Sequence, residues 1–238
     1  MIKYLSWQKA GTIFWLDFYN ARISYQRTSL SEFDWRQKMN NENKFLNTKN
    51  VVYLAILTTL LIVFNLLGTV FKVITNVNLT LIPIALGALI LGVRGGLILG
   101  LISGAMTFIF GVTALDPFTN FLFSVHPVIT FLICIVKITV AGVVSGLIYK
   151  ALNKKNKYVA TFIASGIVPV INTGLFILGM FTMPETLNEL AGAQGVSAVY
   201  YLIILCAGVN FLIEFAISLF LSPAIFTVNK VIEKNFSR

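Results

Sequence analysis

Six apolar stretches separated by short polar segments dominate the chain from Val51 onward. A membrane-spanning helix needs about 20 predominantly apolar residues, and the six stretches reach or approach that length. The pattern predicts an all-α membrane protein, a six-transmembrane-helix bundle. The second stretch is short, so it is expected either to tilt against its neighbours or to cross the bilayer incompletely. The predicted helices are Val51–Phe71, Leu79–Val93, Gly95–Ala114, Pro127–Leu152, Tyr158–Phe181 and Ala198–Val228.

The composition agrees with this pattern. Hydrophobic residues make up 57% of the 238 residues and charged residues only 11%, whereas soluble domains carry roughly 25% charged residues. These values exclude a soluble globular enzyme. Two cysteines and one histidine are too few for a disulfide scaffold or for a zinc or haem ligand cluster, so neither a metal nor a cofactor is expected.

The positive charges are distributed unevenly between the two sides of the predicted bundle, and the net charge is +9. With a cytoplasmic N-terminus, 16 of the 18 Lys and Arg residues fall on the cytoplasmic side and only Lys72 falls in an outside loop. Cytoplasmic loops are enriched in Lys and Arg, so both termini are predicted to be cytoplasmic. The basic loops are therefore expected to face the anionic lipids of the cytoplasmic leaflet, and no nucleic-acid partner is expected.

Three regions follow from these patterns. Residues 1–50 are basic, contain all three tryptophans and are expected to form a cytoplasmic N-terminal segment. This segment is either an interfacial helix with Trp anchors or, in part, sequence upstream of a native start at Met39. Residues 51–232 are expected to form the membrane-embedded solute-binding domain, and residues 233–238 a cytoplasmic tail.

Ionisable and amide side chains within the predicted helices are the clearest functional signal. A charge at mid-membrane depth costs about 2.5–3.5 kcal/mol or more unless it faces the protein interior. At about 1.5 Å of rise per residue, Lys137, Asn172 and Asn210 lie roughly 13–18 Å below the outside loops, with Glu214 one turn deeper. These residues are therefore predicted to form one polar layer.

Two interpretations of this layer remain open. In the structural one, Lys137 and Glu214 form a neutral buried ion pair that fixes the helix register. In the functional one, Lys137 binds an anionic solute and the amides form hydrogen bonds with its polar groups. Pro169 lies close to Asn172 and is expected to break the fifth helix, which frees backbone groups that protein or a cavity must satisfy.

The predicted outside loops, at residues 72–78, 115–126 and 182–197, are longer and more polar than the inside turns. This asymmetry favours a cup that opens outward, with Asn78, Asn120 and His126 as loop contributors to a substrate-binding site. Polar loops without a binding role are the alternative. His126 precedes Pro127 at a helix start, which favours a capping or loop role over a catalytic one.

Small residues form two stripes. Ala55 and Thr59 lie one turn apart on the first helix; their stripe serves internal packing or, if it faces lipid, the docking of another membrane subunit. The longer stripe is a ladder of glycines at four-residue steps, which lets a second helix approach closely and is expected to serve packing within the bundle. The ladder comprises Gly92, Gly96, Gly100 and Gly104.

Motifs for energy conversion and catalysis are absent from the sequence. The chain contains no GxxxxGK[ST] phosphate-binding loop, and its spans contain no HExxH or other paired catalytic motif. It is therefore expected neither to hydrolyse ATP nor to be an enzyme. Six helices without such a motif favour a solute-binding subunit that obtains its energy from partners.

Four segments carry a family resemblance. They read LTLIPIALGALILGVRGGLILGLISGAMTFIFG (Leu79–Gly111), HPVITFLICIVKITVAGVVSGLIYKAL (His126–Leu152), VPVINTGLFILGMF (Val168–Phe181) and GVNFLIEFAISLFLSPAI (Gly208–Ile225). In this order and spacing they resemble the second to sixth helices of the substrate-binding S components of energy-coupling factor (ECF) transporters. The resemblance covers about residues 50–232.

The resemblance implies the import of vitamins and similar micronutrients across a prokaryotic plasma membrane. An S component binds its solute from the outside, and a shared module of one membrane T protein and two cytoplasmic ATPases drives uptake. Members of the family contact the T protein through an A-x-x-x-A strip on the first helix. The corresponding residues here run from Ala55 to Thr59, with threonine in place of the second alanine.

The stretches NTGLFILGM and NFLIE resemble S components of the pantothenate type. Pantothenate or another small anion is therefore the expected substrate, with Lys137 as the cation of the site. A stand-alone membrane channel or a membrane-embedded enzyme is the alternative function, and a structural membrane protein without a ligand is a further one.

Overall fold

The computed structural model describes residues 47–71 and 78–236, and the side chains of residues 47–68 and 78–232. Within these ranges the chain is helical and contains no β-strand. In chain order, the helices are α1 (Thr48–Phe71), α2 (Leu81–Ile90), α3 (Gly92–Val112), α4 (Pro117–Val125), α5 (Pro127–Leu152), α6 (Lys157–Met180), α7 (Pro184–Ala193), α8 (Ala198–Tyr200), a π-helix (Tyr201–Gly208) and α9 (Val209–Phe236).

The chain divides into two units, residues 1–51 and 52–238, and the second contains the bundle described below. The predictions made for the N-terminal segment lie outside the described residues, except that residues 48–50 belong to the start of α1. The predicted tail at residues 233–238 is described only to Phe236, where α9 ends.

The fold is that of a multi-pass helical membrane protein. Among the described residues, five stretches are long and apolar enough to cross a bilayer: Thr48–Gly68, Gly92–Val112, Pro127–Leu152, Lys157–Met180 and Ala198–Ile232. Large apolar side chains cover their outer faces, with Phe220 85% exposed. Apolar surface of this extent marks contact with a membrane rather than with water.

The second predicted helix, Leu79–Val93, is longer than the observed one. α2 ends at Ile90, and Gly92 begins α3 with a φ of +69°, a left-handed conformation that only glycine adopts at no steric cost. The turn therefore lies at Leu91 and Gly92, and Arg94 belongs to α3 rather than to the turn. The ten residues of α2 rise about 15 Å, half the thickness of the hydrocarbon core.

Two of the predicted outside loops contain short helices. α4 begins at Pro117 and α7 at Pro184, because proline at the first helical position has no backbone N–H to leave unsatisfied. Leu122 of α4 and Leu187 of α7 pack in one buried cluster with Met180. The cluster joins the two loops at the same end of the bundle.

Three glycines of the predicted ladder, Gly96, Gly100 and Gly104, form the contact between α3 and α5. A Cβ added to Gly100 would lie 2.7 Å from Thr139 Cα, and the backbones of Gly96 and Gly142 approach each other in the same way. A methyl group has no room at this separation. These three glycines therefore serve packing within the bundle, as predicted, whereas a Cβ added at Gly92 has no atom within 4 Å and this residue belongs to the turn.

The predicted break of the fifth helix at Pro169 is wrong. α6 continues from Lys157 to Met180 with Pro169 inside it. Proline is tolerated in membrane helices because neighbouring helices and hydroxyl side chains compensate for the lost hydrogen bond. Pro169 leaves the carbonyl of Ser165 without its helical donor, and one residue earlier Ser145 of α5 donates a hydrogen bond of 2.7 Å to the carbonyl of Ala164, which fastens α6 to α5.

Candidate functional site

One cavity brings together most of the side chains predicted to form the site. Its volume is about 240 Å³, just below the range of roughly 300–1,000 Å³ typical of small-molecule sites. Helices α1, α3, α5 and α6, the π-helix and α9 contribute to its wall, together with the segment before α2 and the start of α4. Five of the seven predicted substrate-binding residues line it: Lys137, Asn172, Asn210, Glu214 and Asn78.

Lys137 supplies the positive charge of the cavity. Its Nζ lies 5.0 Å from the centroid of the Phe176 ring on α6, within the distance of about 6 Å over which a cation is attracted to an aromatic face. Among the described residues, no carboxylate oxygen lies within 4.0 Å of this ammonium group. The ion pair between Lys137 and Glu214, one of the two interpretations of the polar layer, is therefore not formed.

Glu214 is held by the segment that precedes α2. Its side chain is 6% exposed, and Oε1 accepts a hydrogen bond of 2.9 Å from the backbone N–H of Asn78. The Asn78 side chain in turn accepts a hydrogen bond of 3.2 Å from the backbone N–H of Thr80, whose hydroxyl accepts one from Ser103 of α3. This network fixes the carboxylate of α9 relative to α2 and α3.

Asn172 presents an amide to the cavity from α6. It is 6% exposed, and its Oδ1 has no hydrogen-bond partner among the described residues. Leaving a buried acceptor unpaired costs about 1–3 kcal/mol. An unpaired amide in a cavity wall is therefore expected to bind a polar group that enters the cavity.

The π-helix brings two parts of the last span to the same wall. It contributes Tyr201, Leu205 and Cys206 to the lining, and at its junction with α9 the Asn210 Nδ2 donates a hydrogen bond of 2.9 Å to the Cys206 carbonyl. A π-helix has i to i+5 hydrogen bonds and so holds more residues per turn than an α-helix. It thereby shifts the register of α9, whose Glu214 also faces the cavity.

Asp116 and Asn65 are polar residues of the lining that were not among the sequence-based candidates. Asp116 caps the start of α4, is 6% exposed and accepts a hydrogen bond of 2.8 Å from the Thr119 hydroxyl. Asn65 of α1 also lines the cavity. Both left a signal in the sequence, because Asp followed by Pro marks a helix start and an amide within an apolar span is unusual.

Asn120 and His126 do not line the cavity. Asn120 Nδ2 donates a hydrogen bond of 2.8 Å to the carbonyl of Gly111 near the end of α3. His126 directly precedes α5, and its carbonyl accepts a hydrogen bond of 2.8 Å from Thr130. Both residues stabilise helix ends, and we leave them out of the proposed site.

The cavity is suited to reversible binding of a polar small molecule. It offers one ammonium group, carboxylates, amides and several threonine hydroxyls within a mostly apolar bundle. In the part of the chain that the structure describes, no group of three His, Cys, Asp or Glu side chains comes together to hold a metal ion.

A second candidate surface is the outer face of α1. Ala55 and Thr59 are both exposed there, and the Thr59 hydroxyl donates a hydrogen bond of 3.0 Å to the Ala55 carbonyl. Ile56 beside them is 57% exposed. The strip is therefore a notch of small side chains on an apolar surface, and it does not serve packing within the bundle.

These features define a class of protein: a multi-pass helical membrane protein whose bundle encloses a polar cavity. The sequence matches the family described as "ECF transporter, substrate-specific component" over residues 49–226, and the chain belongs to this family. It is therefore a substrate-specific subunit of an ECF importer, and the family implies a complex with a T protein and ATPases. No curated protein matches the sequence.

Proposed function

We propose that the protein binds a vitamin-like micronutrient, either pantothenate or another small anion, from the outside of a prokaryotic cell. A T protein and two cytoplasmic ATPases then drive its import. Lys137 is the observation on which the choice of an anion rests. An ammonium group within a membrane bundle, without an ion-pair partner among the described residues, is costly, and an anionic solute offsets that cost.

Pantothenate suits the residues around Lys137. It has one carboxylate, two hydroxyls and an amide, and the cavity wall combines a single lysine with the amides of Asn172 and Asn210. Charge-assisted hydrogen bonds from lysine to a carboxylate are about twice as strong as those between neutral groups. The carboxylate is therefore proposed to lie at Lys137.

The proposed topology has six membrane segments, namely the five long spans and the shorter α2, and both termini lie in the cytoplasm. The lysines around the turn between α5 and α6 support this orientation, because cytoplasmic turns are rich in positive charge. Asn78 precedes α2 and Asp116 precedes α4, both at the end of the bundle opposite the turn between α5 and α6. The cavity is therefore proposed to open to the outside. The lysines of the turn are Lys150, Lys154, Lys155 and Lys157.

The strip of Ala55 and Thr59 is proposed as the docking site for the T protein. Small side chains allow a partner helix to approach the backbone closely. The exposure of both residues on a lipid-facing helix supports this assignment.

The anionic site is tested with Lys137→Met. Methionine keeps the length of the side chain and removes the charge, so we expect a loss of about 2–3 kcal/mol of binding free energy, or roughly 30- to 150-fold in affinity. The protein is purified in detergent, the released solute is identified by mass spectrometry, and its affinity is measured for both forms. Lys150→Met, at the exposed end of the same helix, is the matched control and should bind normally. Unchanged affinity in Lys137→Met would end the proposal of an anionic substrate.

The import function is tested by co-purification. An S component is expected to retain a T protein and two ATPases after mild extraction, whereas a stand-alone channel or enzyme purifies without them. Solute uptake should then require ATP hydrolysis by the partners. Uptake that persists without the ATPases would contradict the proposed function.

A further inference from the structure

We infer that the substrate has two chemically different ends: an anionic group that contacts Lys137, and a hydroxyl or N–H donor that contacts Glu214 and Asn172. The inference rests on the proposed function and restricts its substrate class. The class is that of monoacids with hydrogen-bond donors away from the acid group. Dicarboxylates and acids without donors fall outside it.

Glu214 defines the donor end of the cavity. One carboxylate oxygen accepts the Asn78 N–H, while no described residue forms a hydrogen bond with the other. The side chain is 6% exposed and lines the cavity, so a partner for this oxygen comes from the cavity. Buried carboxylates require hydrogen-bond donors, and a hydroxyl or N–H of the substrate supplies one.

Asn172 adds a second group in need of a partner. Its Oδ1 forms no hydrogen bond with any described residue, although the residue is only 6% exposed. Rotation of the amide about its last side-chain bond presents either the oxygen or the nitrogen to the cavity. The residue therefore pairs with a hydroxyl, which both donates and accepts, better than with a carboxylate alone.

The separation of Lys137 from Glu214 makes the two ends distinct. The Lys137 Nζ lies more than 4.0 Å from the Glu214 carboxylate oxygens and forms no ion pair with them, so each charge is available to a different part of one molecule. An anionic group at Glu214 is repelled, and unpaired like charges in an enclosed site are an effective means of rejecting the wrong ligand. Glu214 thus excludes solutes with acid groups at both ends.

The first arm of the test identifies the solute. The purified full-length protein is incubated with a defined pool of water-soluble vitamins, their precursors and dicarboxylates, then washed and denatured, and the released compounds are identified by mass spectrometry. We expect a monoacid that carries hydroxyl or N–H groups. Its molecular formula shows which of these two donors it contains. A released dicarboxylate or an acid without donors overturns the inference but not the proposed function, whereas a cation without an acid group contradicts both. Release of no compound contradicts the proposed function itself.

The second arm assigns each end to its residue. The methyl ester of the released acid and its O- or N-methylated form are compared with the parent compound on wild type, Lys137→Met and Glu214→Gln. Lys137→Met should weaken binding of the parent at least about tenfold but leave binding of the ester unchanged. Glu214→Gln should weaken binding of the parent to a similar degree and leave binding of the methylated form unchanged.

Glu189→Gln is the control for this arm, because Glu189 is an exposed carboxylate on α7 and should have no effect on any of the compounds. If both cavity substitutions respond to the same end of the molecule, the inference is wrong. If either variant fails to fold, the wild type alone decides, since both modified compounds must then bind at least about tenfold more weakly than the parent.

Discussion

Gly100→Ala tests the contact that positions Lys137. The added Cβ would lie 2.7 Å from Thr139 Cα and 3.0 Å from the Ile138 carbonyl oxygen, whereas non-bonded carbon atoms prefer about 3.5–4.0 Å. α3 and α5 must therefore separate by about 1 Å, and overpacking of this kind costs about 1–3 kcal/mol. Ile138 and Thr139 directly follow Lys137, so the same displacement should also weaken solute binding.

Gly174→Ala is the matched control, because no atom lies within 4 Å of a Cβ added at Gly174 within α6. Both variants gain up to about 1 kcal/mol in helix propensity, so their difference isolates the clash. At roughly 2–4 °C per kcal/mol for a chain of this length, Gly100→Ala should unfold about 2–12 °C below the control. Reaction of the buried Cys134 with a thiol-reactive dye on heating, in chains that carry Cys206→Ser, reports unfolding. Equal unfolding temperatures for the two variants would refute the packing argument.

Two further predictions concern regions outside the cavity. Thr59→Trp should abolish uptake and co-purification with the T protein, because the indole holds a partner helix away from α1. Solute binding by the isolated protein should survive. Transport at the normal rate would mean that the docking strip lies elsewhere. A chain that starts at Met39 should bind solute with unchanged affinity, since the family match begins at residue 49 and, among the described residues, the cavity lining begins at Phe64. A large loss of affinity on this truncation would make the first 38 residues part of the binding protein.

The long helices were predictable because their ends carry strong local signals. α5 runs from Pro127 to Leu152, as predicted, since proline favours the first helical position and a polar segment with several lysines follows Leu152. The turn between α2 and α3 was misplaced by about two residues. Gly92, Gly95 and Gly96 are all candidates for a turn in the sequence, and only the backbone shows that Gly92 has the positive φ.

The sequence predicts how far along their helices the candidate side chains lie, but not the direction in which they face. A constant rise per residue gives how far along a span a side chain lies, and this placed Lys137, Asn172 and Asn210 at one level. Whether Lys137 reaches Glu214 depends on rotation about the helix axes, which depth does not give. The π-helix before Asn210 changes that rotation, and nothing in its apolar sequence distinguishes it from an α-helix.

Helix α1 links the two candidate surfaces. Asn65 and Phe64 on one side line the cavity, while Ala55 and Thr59 are exposed on another side about two turns away. Only 17% of the α1 span is buried within the protein, compared with 44% of the α3 span, so the rest of the bundle covers α1 less than it covers α3. A solute shifts a helix only through contacts that differ between two arrangements of that helix, and a solute bound in the cavity is expected to act on α1 through Phe64 and Asn65. Lys137→Met and Thr59→Trp are therefore expected to perturb separate steps, solute binding and docking, because Lys137 lines the cavity and Thr59 is exposed on the outer face of α1.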